Sequence, residues 1–139
     1  MQHKKTDNVI IVRLDPKEEI LSSLRKIAER ENIRLAEVSA IGATCEFTAG
    51  VYDLKEKVFK PVHFQGTYEI TSLLGSITLM NGQPYIHVHI NAADEKGNAV
   101  GGHLSSCTIS ATCEMFIKVY EGEVSRVYDE ATGLNIFDI

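Results

Sequence analysis

Three of the chain's five histidines fall within one stretch, Pro84 to Leu104, which reads PYIHVHINAADEKGNAVGGHL. Tyr85, His87, His89 and Asn91 alternate with Ile86, Val88 and Ile90, the period of a half-buried strand. His87 and His89 therefore point to one face and the aliphatic residues to the other. Asp94-Glu95-Lys96-Gly97-Asn98 reads as a hairpin turn, with Glu95 and Lys96 at the centre of a type I turn and Gly97 in the left-handed position. Pairing Asp94 with Asn98 sets His103 opposite His89. Directly opposed residues share a face, with Cβ atoms about 5 Å apart, so His87, His89 and His103 would converge. A bulge at Gly101-Gly102 would instead move His103 out of register. Three imidazoles on neighbouring strands can hold zinc or a similar divalent metal and leave one position for water. That arrangement generates hydroxide at neutral pH. The competing reading of the same residues is a set of half-exposed strand histidines at a subunit contact.

The remaining sequence must supply the scaffold. At 139 residues the chain is long enough for one domain, 1–139, with a single core. Its hydrophobic and charged contents, 44% and 24%, are those of a soluble globular protein. No run approaches the ~18 apolar residues of a membrane span. The start, MQHKKTDN, lacks the apolar stretch of a signal peptide, so a cytoplasmic protein without membrane contact is expected. Cys45, Cys107 and Cys113 are odd in number and form no CxxC pair. They read as reduced packing residues. The net charge is −5, and no basic cluster extends beyond His3-Lys4-Lys5. Affinity for DNA draws on lysine and arginine neutralising phosphates, so this balance weighs against a nonspecific nucleic-acid grip.

Residues 1–8 are polar and are expected to fray. Val9 to Leu14, VIIVRL, reads as a strand covered on both faces. Asp15-Pro16-Lys17-Glu18 predicts a helix start, with Asp15 as the cap and Glu18 completing a capping box. Ile20, Leu21, Leu24, Ile27 and Ala28 then share one face, and the helix should end near Glu31-Asn32, where Asn adopts the left-handed conformation. Ala36 to Asp53 predicts two strand segments around a glycine bend, Lys57 to Phe64 a short strand, and Gly66 to Met80 a strand pair or one long bent strand around Gly75. His63 stands alone and reads as a surface residue. Asn81-Gly82 is a tight hairpin signal. Ser105 to Tyr120 alternates as a long strand, with Thr112 and Glu114 on its polar face. Glu123 to Tyr128 can add a short strand, and the apolar segment 129–139 is expected to dock on the domain or on a neighbour. One helix against a mostly antiparallel sheet is an α+β domain.

Two motifs carry a family resemblance: HVHI followed by D-x-x-G-x-x-x-GGHL, and GTYEITSLLGSITL about twenty residues earlier. Together they resemble the PPC domain, the domain conserved between plants and prokaryotes, over about Asn8 to Val127. It occurs in the plant AT-hook nuclear-localised proteins and as a stand-alone protein in prokaryotes. The resemblance implies a homotrimer, a DNA-binding or regulatory role, and a metal site at His87, His89 and His103. The plant members bind AT-rich DNA through a separate Arg-Gly-Arg-Pro hook in the minor groove. This chain contains no Arg-Gly-Arg.

Three functions remain open on these residues. The first is a trimeric regulatory or DNA-binding protein whose histidine site holds a structural or sensing metal, with a protein partner as a further expectation. The second is a zinc-dependent enzyme acting on a small substrate, which would need a general base and a pocket. Glu69, Glu114 and Asn91 are the candidates for that support. The third is a plain trimer with histidines at its contacts.

Overall fold

The computed structural model describes residues 1–139. In chain order the elements are β1 (Gln2–Thr6), β2 (Val9–Leu14), α1 (Ile20–Arg30), β3 (Ala36–Asp53), β4 (Val58–Met80), β5 (Gln83–Ala93), β6 (Ala99–Val119), β7 (Ser125–Asp129) and β8 (Leu134–Asp138). Two segments expected to break run through as single strands. β3 is continuous, with irregularities between Ala40 and Gly42 and between Thr44 and Glu46. The stretches 57–64 and 66–80 merge into the 23-residue β4. Bulges bend and twist a strand while its ladder continues, so these positions curve the strands rather than end them.

The curvature closes part of the sheet on itself. β3 pairs with β4 and β6, and β5 pairs with the same two strands, so the four form a ring. β2 and then β1 extend the sheet from β6, while β7 and β8 extend it from β4. The ladders are antiparallel except for one parallel bridge, Leu79 with Ser125. Inside lie Phe47, Leu73, Ile77, Ile109, Met115 and Ile117, all essentially without exposed surface. Phe47 stacks on Phe64 at 4.7 Å between ring centroids.

Helix α1 closes the core with Ile20, Leu24, Ile27 and Ala28. Its cap is Glu19 and not Asp15. The Glu19 carboxylate accepts from the N–H of Leu21 at 3.0 Å, of Ser22 at 2.7 Å and of Cys107 at 3.2 Å. Asp15 to Glu18 instead forms a separate turn in which the Glu18 carboxylate accepts the Asp15 N–H at 2.8 Å. Lys17 in that turn has φ +74°, and a left-handed residue cannot continue a helix, which moves the start past it. The helix ends at Glu31, and Asn32 takes the expected left-handed conformation, φ +50°.

The N-terminus departs from the expected fraying. Gln2 to Thr6 pairs with Val9 to Arg13 as the edge strand β1, and the Met1 ammonium donates to Glu18 at 2.6 Å. Polar, lysine-bearing edge strands give no hydrophobic signal, because one side of their ladder and most side chains face water. At the other end, β8 folds back on β7. Cys107 and Cys113 are buried, and burial pushes their thiols up to about 11 and about 12, so they pack as inert side chains; Cys45 is exposed. No helix is long and apolar enough to cross a membrane.

Candidate metal centre

The turn that sets the register forms as the sequence requires. The Asp94 N–H donates to the Asn98 carbonyl at 3.0 Å and the Gly97 N–H to the Asp94 carbonyl at 2.9 Å, with Gly97 at φ +80°. The Asp94 carboxylate holds the loop by accepting from the N–H groups of Lys96 at 2.9 Å and Asn98 at 2.8 Å. From there the ladder runs without a slip from Ala93–Ala99 to His89–His103. Gly102 does not bulge out of it. Gly102 serves close packing instead: it has φ +148°, and a Cβ there would lie 2.4 Å from the Gly50 carbonyl oxygen.

His87, His89 and His103 consequently meet. One ring nitrogen from each lies within 4.8 Å of the other two, and the ring centroids are 5.0 to 5.4 Å apart. His87 Nε2 is 3.2 Å from His89 Nε2. Two nitrogen ligands on a tetrahedral zinc ion, each at about 2.0–2.1 Å, are separated by about 3.3 Å, so this pair already spans one edge of such a site. Burial and then the neighbouring charges of His103, Arg126 and His89 depress the His87 pKa to about 4. Burial and His89 also lower that of His103. Rings held neutral are the form that ligates a metal. The donor set and its protonation fit a divalent ion of the zinc type.

Two residues flank the cluster that the sequence did not single out. Phe59 meets the His103 ring edge-on at 5.5 Å. Arg126, from β7, lies with its Nη2 3.5 Å from His87 Nδ1. Its guanidinium lies over the rings of Tyr85 at 4.7 Å and Phe137 at 4.5 Å. Its Nε donates to Thr78 Oγ1 at 2.9 Å and its Nη1 to the Asn135 carbonyl at 2.8 Å. Nothing local in the sequence points to Arg126, which reaches His87 only because the last hairpin packs beside β4.

The other candidates lie elsewhere. Glu69 is exposed on β4 opposite Ala93, four residues along β5 from His89, about 13 Å at the rise of a strand. Glu114 is exposed on β6 between Arg13 and Ile41, where β3 and β4 separate it from β5. Thr112 has a buried hydroxyl without a hydrogen-bond partner and is not in the cluster. Asn91 shares the face of the histidines but pairs with Gly101, and its carbonyl accepts from Thr71. His63 is an exposed surface residue beside Glu46 and Thr48, as expected.

Fold and site together define a β-rich α+β domain with a three-histidine cluster on strands β5 and β6. The Plants and Prokaryotes Conserved (PCC) domain matches residues 1–121, and the chain belongs to that family. A candidate DNA-binding protein of Bacteroides thetaiotaomicron has the same fold, with a TM-score of 0.96, 32% identity, and coverage of 99% of this chain and 96% of that one. A metal-containing protein of Archaeoglobus fulgidus is 30% identical, with a TM-score of 0.89 and coverage of 96% and 94%. Among curated proteins, the bifunctional protein GlmU of a Synechococcus strain is 30% identical over 125 residues. That match takes in 88% of this chain but only 19% of the relative's length.

Proposed function

We propose that this chain is a metal-binding, homotrimeric regulatory member of its family, in which His87, His89 and His103 hold zinc or another divalent metal. The cluster carries the reading, since it gathers three imidazoles from two strands around one point, and burial holds His87 and His103 below the ordinary histidine value. The metal-containing description of the Archaeoglobus relative supports it. Three neutral ligands leave a tetrahedral ion one open position, which suits a site that senses a ligand. The trimer finds support in a row of exposed side chains, Ile11, Phe116 and Leu74, aligned across four paired strands through Ser39, with Ile41 beside it. Contiguous apolar surface of this kind is normally covered by another protein surface. Buried, unpaired thiols are in keeping with a cytoplasmic location.

DNA contact, suggested by the description of the Bacteroides relative, has the least support on this chain, which carries a net charge of −5 and no Arg-Gly-Arg. Binding of a protein partner suits it better. The enzymatic alternative needs a base beside the metal, and Glu69 and Glu114 do not supply one. Elemental analysis of tag-free protein tests the proposal. One zinc per chain in the wild type, lost in the His87→Ala/His89→Ala double variant, is the expected result. Absence of metal from both sinks the metal centre.

A further inference from the structure

Charge balance around the cluster bears on what a metal held there would bind. The cluster that could hold a metal contains three histidines and no carboxylate. A divalent ion held there by neutral rings keeps its full charge. Behind His87 stands Arg126, partly buried. Each of its partners is neutral: Thr78, Ser76, the Asn135 carbonyl, and the rings of His87, Tyr85 and Phe137. No carboxylate lies within ion-pair distance of it, whereas Lys60 on β4 has Asp53. A partly desolvated guanidinium is normally paired, because leaving it unpaired costs free energy. Here it stands beside a site for a second cation and is held in place by two aromatic rings and a strand carbonyl.

We infer that the ligand of this site is a small oxyanion, either a carboxylate or an inorganic oxyanion such as phosphate, drawn to the metal's open position by the combined field of the metal and Arg126. The inference rests on the metal-centre reading above. Because Nη2 contacts His87 Nδ1 at 3.5 Å, Arg126 acts from behind the metal ligand. It is a positioning and charge-supplying residue, and its guanidinium need not touch the anion. The Phe59 ring beside His103 offers an apolar wall and no donor, which favours a compact anion with a short apolar body over a heavily hydroxylated one.

Cobalt(II) is the probe, because its visible absorption bands report the ligand set of an N/O site that also suits zinc. Cobalt-loaded wild type would be titrated with acetate, inorganic phosphate and the neutral isostere acetamide at fixed ionic strength. Acetate or phosphate should shift the bands at concentrations at least about tenfold below any response to acetamide, and the stronger of the two identifies the source class. In Arg126→Gln, anion affinity should fall about tenfold with cobalt content unchanged, while Arg126→Lys, which keeps the charge, should stay within about threefold of wild type. Equal response to acetate and acetamide, or no response to either anion, overturns the inference even if the variants fail to fold. Equal anion affinity in folded Arg126→Gln overturns the role of Arg126. Failure of the wild type to bind cobalt at all overturns the metal centre itself, and the inference falls with it.

Discussion

Acidification should destabilise the metal-free protein by way of His87. In the unfolded chain an imidazole takes up its proton near its ordinary value of 6.5, whereas in the folded protein His87 does so only near about 4. Between those two values the unfolded state binds the extra proton, so stability falls with falling pH through this window and the loss is complete below about 4. At full linkage that displacement is worth at most about 3.4 kcal/mol. The ring is only half-buried, and solvent screening reduces the expected loss to about 2 kcal/mol. The assay is urea unfolding of chelator-treated wild type and His87→Gln across the window. Carboxylate protonation contributes equally to both proteins, so the difference between them isolates the histidine. Wild type should lose about 2 kcal/mol relative to the variant as pH falls. A difference that stays constant within about 0.5 kcal/mol would refute the claim that folding holds this ring neutral.

The backbone that brings His103 into place should be as sensitive as the ligands. Gly102→Ala puts a Cβ 2.4 Å from the Gly50 carbonyl oxygen at φ +148°; it should cost about 2–3 kcal/mol in urea unfolding and weaken zinc binding. Glu19→Ala removes the helix cap and the acceptor for the Cys107 N–H, so a loss of about 2 kcal/mol is expected with zinc content unchanged. If the exposed row forms the contact between copies, Phe116→Asp should shift the protein to a monomer in light scattering while its circular dichroism stays that of the wild type. A trimer that survives this change would move the interface to another face.

The site was legible in the sequence to the extent that local rules governed it. Alternation put His87 and His89 on one face, and a five-residue turn fixed His103 opposite His89. The turn's own hydrogen bonds, from the Lys96 and Asn98 N–H groups to the Asp94 carboxylate, enforce that pairing within a few residues. Arg126 was not legible, because its approach to His87 depends on a parallel bridge between residues 79 and 125, a contact without a sequence period. The helix cap was misplaced for a local reason. Asp15-Pro16-Lys17-Glu18 has the composition of a capping box, but Lys17 in the left-handed region turns the same residues into a preceding loop. The length of β3 and β4 was hidden for the opposite reason, since glycines that read as breaks act as bends once neighbouring strands hold both edges.

Those bends explain why the histidines meet where they do. His103 is the residue at which β6 has β5 on one side, through His89, and β3 on the other, through Gly50. Beyond it β6 stays on β3 and takes β2 as its other neighbour from Cys113 onward, no longer pairing with β5, so the side of β5 that carries His87 loses its strand neighbour. The cluster therefore occupies a fork in the sheet, with His89 and His103 braced across a ladder and His87 facing the gap. In a continuous sheet the next rung would fill that gap, and any metal held by three strand residues would lie flat against side chains from a fourth strand. The fork removes that strand without removing the register, because the Asp94–Asn98 turn fixes the register and long-range packing does not. The three-nitrogen face depends on a turn of five residues and on a glycine, Gly102, that lets β6 press against β3. A one-residue slip of the β5–β6 register would turn His103 to the opposite face, and filling Gly102 would push the strand off Gly50. Either change would destroy the site while leaving all three histidines in the sequence.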